Sequence, residues 1–104
     1  MRPRYYTLIG QTPVPVNALE WAIWFETSES ARLVAQTEIG ASRVSTVFLG
    51  LDHRVWGEGP PLLFETMVFT DGDGGGARRR CSTWLEAEAQ HAAVVEEWRV
   101  RCRG

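Results

Sequence analysis

The chain has 104 residues, 44% of them hydrophobic and 11% aromatic, with a formal net charge of -2. That length holds one hydrophobic core rather than two, so residues 1–104 read as a single domain that needs no disulfide or metal staple. A charged fraction of 23% excludes the disordered class, and the slightly negative balance excludes a dedicated, sequence-specific nucleic-acid binder.

Taken in order, "RYYTLIG" predicts a short strand over Tyr5–Ile9, followed by a turn at Gly10-Gln11. Pro13 and Pro15 confine the next stretch to a sheet edge or a linker, because proline cannot donate to a ladder. Asn17 with Glu20 three residues on is a capping-box pattern, so a helix starts there and buries the stripe Trp21, Trp24, Phe25. Leu33, Ala35, Thr37 and Ile39 alternate with polar or smaller neighbours, predicting a half-buried strand over Arg32–Ile39. After the turn at Gly40-Ala41-Ser42, Arg43–Leu51 returns antiparallel and is apolar enough on both faces to be central. "DHRVWGEGPP" is a loop, and Leu62–Thr70 closes a three-strand meander. "DGDGGGARRR" reads as a glycine-rich surface loop. The last helix has a second capping box, Thr83 with Glu86, and the stripe Trp84, Ala87, His91, Val94, Val95, Trp98, Cys102. The expected architecture is α+β: one antiparallel sheet of about four strands, centred on the meander, with two helices packed on it.

All eleven basic residues are arginine, whose forked guanidinium suits phosphate or carboxylate. Cys81 and Cys102 bracket the last helix and stand too far apart to bridge, so free thiols and a cytoplasmic setting are expected. "MRPRYYTLIG" lacks the apolar core of a signal peptide, and no apolar run is long enough to span a bilayer.

His53 follows Asp52 at a strand end, where functional side chains often sit, although a plain loop role fits equally. His91 lies in an apolar helical stripe and reads as a core imidazole bonded to a carbonyl or a carboxylate. Glu65 shares a strand face with Leu63, Met67 and Phe69, so it must be paired or neutral there. A structural pair to Arg32, Arg43 or Arg54 is favoured over a general base. Arg78, Arg79 and Arg80 lead into a helix start and form an anion-site candidate, against the simpler reading of a solvated basic turn. No H-x-x-x-H, H-x-H, C-x-x-C, Walker or nucleophile-elbow spacing occurs, so neither a metal site nor a cofactor is expected.

"VSTVFLGLDH", "GPPLLFETMVF" and "ST" with "EA" and a histidine in the last helix resemble a family of small uncharacterised proteins of tailed phages and prophages. The pattern maps onto Asp52, His53, Gly59, Pro60, Pro61, Phe64, Glu65, Thr66, Met67, Arg80, Ser82, Thr83 and His91. Cys81 departs from it, standing where an aromatic residue is common. The resemblance implies a host-side accessory role: non-catalytic binding that sequesters a signalling nucleotide or caps a host protein. A small hydrolase using His53 and Glu65, with or without His91, or a minor virion or assembly protein, stays open at this point. The expected ligand-binding residues are His53, Arg54, Trp56, Glu65 and Arg80. Indole and guanidinium there suit a planar, anionic ligand. Aromatic content beyond what the small sheet can cover points to a homodimer or higher homo-oligomer, with Tyr5, Tyr6 or Trp56 at the contact.

Overall fold

A computed structural model describes residues 3–54, 57–70 and 78–103. Among them the chain forms β1 (Tyr5–Ile9), β2 (Thr12–Val16), α1 (Ala18–Thr27), α2 (Glu29–Arg32), β3 (Leu33–Ile39), β4 (Ser42–Phe48), β5 (Phe64–Phe69), β6 (Arg78–Cys81) and α3 (Trp84–Arg103). The fold is α+β, as the sequence implies. Strands β3-β4-β5-β6 make one antiparallel sheet, and β1-β2 make a separate hairpin.

The strand that completes the four is β6, in the basic run that the sequence presents as a loop and lead-in. It pairs with β5 through Glu65↔Arg80 and Met67↔Arg78. The rest of the expected glycine-rich loop, 71–77, lies outside the described residues.

Side chains alternate across a strand, and the register sorts them into two faces. Val44, Thr46 and Phe48 of β4 and Phe64, Thr66 and Val68 of β5 are buried beneath α3, which packs across all four strands. On α3, Ala87, His91, Val94 and Val95 meet them at helical spacing. Phe48 is edge-on to Phe64, with Trp24 against the first ring and Trp84 against the second. The opposite face carries Arg43, Ser45, Val47, Glu65, Met67, Phe69, Arg78 and Arg80; α2 borders it beside Gln36, Ser45 and Val47, and no described helix packs along its β5-β6 half.

A bulge between Leu33 and Ala35 corrects the simple alternation expected of β3. It turns Val34 toward the core and leaves Leu33 43% exposed. The capping boxes at Asn17/Glu20 and Thr83/Glu86 both form. Cys81 and Cys102 are free thiols. None of the described helices is long and apolar enough to cross a membrane.

Hairpin β1-β2 attaches through the segment after β4. Tyr6 N–H donates to the Gly50 carbonyl, Asp52 N–H donates to that of Arg4, and Tyr5 bridges Leu51. Gly50 adopts φ +74, and a Cβ there would collide with Trp21 Nε1 and lie 2.7 Å from the Tyr6 carbonyl. Only glycine fits where strand, hairpin and α1 converge.

Candidate functional site: the rim of the open sheet face

Two polar assemblies stand out, one on each face of the sheet. Beneath α3, the imidazole of His91 sits between Thr37 Oγ1, 2.8 Å from Nε2, and Thr46 Oγ1, 2.8 Å from Nδ1. Thr46 meets Thr66 at 2.7 Å, and Gln90 Nε2 donates to Thr66 at 2.9 Å and to the Arg79 carbonyl at 3.1 Å. The partners are hydroxyls rather than the carbonyl or carboxylate expected. Because Gln90 is a donor, the Thr66 and Thr46 protons both find acceptors when the chain runs Gln90 to Thr66 to Thr46 to His91 Nδ1. Nε2–H then donates to Thr37. Protonating Nδ1 reverses the Thr46 bond and leaves the Thr66 proton without an acceptor in this chain. Burial accordingly holds the His91 pKa below its ordinary value. This network pins α3 to the sheet.

On the open face, Glu65 is buried although no helix covers it, because β6 lays two guanidiniums over it. Arg80 Nε donates to Glu65 Oε2 at 2.9 Å, and Arg78 Nε stands 3.8 Å from the same oxygen. The pairing partners are thus Arg80 and Arg78, not Arg32, Arg43 or Arg54, since β6 is the strand hydrogen-bonded beside Glu65. Arg79 points the other way, as alternation requires, and forks onto Glu97 of α3 at 2.7 and 2.8 Å. The three arginines therefore do not gather at the helix start. There, Glu86 Oε1 accepts the N–H groups of Ser82 and Thr83, at 3.2 and 3.0 Å, filling the place an anion would take.

His53 stands at the end of this face, half-buried. Burial lowers its pKa, the charges of Arg80 and Arg4 add to that, and Glu65 and Asp52 oppose it. Its backbone N–H donates to the Leu62 carbonyl, and Asp52 Oδ1 accepts the N–H groups of Arg54 and Leu62 at 2.9 and 3.0 Å. Asp52 thereby clamps the neck of the loop. Arg54 is drawn inward: its Nε donates to the Pro60 carbonyl, and its guanidinium lies against Gly59. It stiffens the loop through Nε. Trp56 lies outside the described residues.

Of the expected site, His53, Glu65 and Arg80 come together. His91 is on the far face of the sheet, so it does not share a cleft with His53 and Glu65. Arg78 and Arg4 join the cluster unforeseen. Arg78 carried a signal: in a strand, Arg78 and Arg80 share a face, but four residues with three arginines show no apolar alternation to mark one. No group of three or more metal-ligating side chains occurs among the described residues.

Comparison of the chain with protein-family models, curated proteins and solved structures finds no match.

Proposed function

We propose that this protein is a non-catalytic binding domain that takes an anionic, nucleotide-like ligand at the rim formed by His53, Arg80 and Arg78. The observation that carries this reading is the shared carboxylate. One Glu65 serves two guanidiniums, and Arg4 and Asp52 act on His53 with opposite signs, so three arginines face two carboxylates and the rim keeps net positive charge. Glu65 is the positioning group, holding Arg80 in place, and does no chemistry. The loop clamped by Asp52 and Arg54 supplies a rigid wall beside His53. In the phage setting implied by the sequence resemblance, such a domain acts in the host cytoplasm, sequestering a signalling nucleotide or capping a host enzyme.

Calorimetric titration with adenine and guanine nucleotides tests this. Binding is expected in the wild type, loss of most of it in Arg80→Ala, and tighter binding in Glu65→Gln, which removes the competing carboxylate. A bound phosphate favours imidazolium, so affinity rises as pH falls toward the lowered His53 value, and His53→Ala flattens that dependence. Absence of binding, or binding indifferent to Arg80→Ala and His53→Ala in folded variants, overturns the reading.

A further inference from the structure

Each sheet of this molecule ends in strands with unpaired backbone groups, and those edges are not equally protected. In the hairpin, Tyr6 turns its N–H toward Gly50 and away from β2, so its neighbour Pro15 turns its own nitrogen outward. Leu8↔Pro13, two residues along, has the same sense. Both outward positions of β2 therefore lack a donor, and that edge is closed to pairing. At the other end of the large sheet, β6 has four residues, three of them arginine, and two copies would set like charges face to face.

The remaining edge, β3, has neither device. It is free of proline, regular from Ala35 to Ile39 beyond the bulge at Leu33/Ala35, and bonded only to β4 among the described residues. Gly40-Ala41 makes a two-residue hairpin, so its flanking pair Ile39↔Ser42 is hydrogen-bonded, as are Thr37↔Val44 and Ala35↔Thr46. That leaves the N–H and C=O groups of Gln36 and Glu38 directed outward. Two charges beside this edge are also unused. Among the described residues Arg32 and Glu38 form no ion pair. Arg32 Nε has no hydrogen-bond partner, and its guanidinium rests 3.6 Å over the Phe25 ring.

We propose that two copies of this chain associate through β3, antiparallel, about a two-fold axis at Gln36. The outward groups of Gln36 then pair with those of the second copy, and Glu38 faces Val34 of that copy. Glu38 comes to the end of the second copy's strand from which α2 and its Arg32 lead in, so opposite charges meet there at both ends of the contact. The turn that approaches α2 is Gly40-Ala41, small enough to pass. The two large sheets become one, with both open faces on the same side. This is a backbone-mediated dimer, unlike the aromatic contact the sequence suggested: Tyr6 is buried in the core, Tyr5 is engaged by Trp21 at 5.8 Å, and Trp56 lies outside the described residues.

Light scattering at tens of micromolar should give a dimer for the wild type. Gln36→Pro removes an outward N–H without breaking the bond pattern to β4, and should give a monomer with unchanged circular dichroism. Should Gln36→Pro not fold, Gln36→Lys and Gln36→Glu read the same position through the side chain alone. Each variant should weaken self-association by roughly tenfold or more, and their equimolar mixture should restore the dimer. A monomeric wild type, a folded Gln36→Pro that remains dimeric, or a mixture no better than either charged variant overturns the proposal.

Discussion

At the residue scale, positions where backbone or polar bonding leaves one chemical solution are more exacting than the large core side chains. Gly50 is the clearest. Its positive φ and the crowding by Trp21 and Tyr6 mean that Gly50→Ala must both strain the backbone and push apart α1 and β1. The expected loss is about 3 kcal/mol, measured by urea unfolding. Gly40, also at positive φ but in open space, should lose only the backbone part, about 1 kcal/mol. If the two alanine variants are equally destabilised, the close approach at Gly50 is not what the glycine provides.

At the element scale, α3 owes its start to Thr83 and Glu86 and its attachment to Gln90 and His91. Glu86 N–H donates to Thr83 Oγ1 at 3.1 Å, and Thr83→Ala removes that acceptor while the carboxylate of Glu86 still accepts from Ser82 and Thr83. The expected cost is about 1 kcal/mol, seen as a lower midpoint in thermal unfolding. This cap was legible in the sequence, as were α1, the β3-β4-β5 meander and the apolar stripe of α3, because each is written in local spacing. β6 was not. Four residues with three arginines carry no apolar alternation, and their pairing with β5 is a long-range event. The site shared that fate: Glu65 could be seen to need a cation, but which cation depended on the hidden strand. The bulge at Leu33/Ala35 and the threonine bonds to His91 were likewise beyond local pattern, since Thr37, Thr46 and Thr66 stand far apart in sequence and meet only across the ladder.

At the scale of the whole molecule, buried titratable groups on both faces bound the pH range of stability. His91 and His53 both have pKa values below the ordinary 6.5 when folded. As pH falls through 6.5 the unfolded chain takes up protons that the folded chain refuses, so stability declines until the lowered folded pKa values are passed. The Cys81 thiol is pushed up to about 11, first by burial and then by the charge of Glu86. From about pH 9, its ordinary value, the unfolded chain releases a proton that the folded chain keeps, and stability declines again up to about 11. Unfolding free energy should therefore plateau between about 6.5 and about 9. The two limbs have separate owners. His91→Gln keeps a hydrogen-bonding side chain in the threonine network but cannot titrate, so it should lower the plateau and flatten the acid limb. Cys81→Ala should leave the acid limb alone and remove the alkaline one. Cys81 is only half-buried, so solvent screening holds its limb to on the order of 1 kcal/mol rather than the full value of its shift. Urea unfolding across pH for the three proteins decides the matter. An acid limb unchanged in His91→Gln would place its protons elsewhere, and the neutral hydrogen-bond chain from Gln90 to Thr37 would lose its main support.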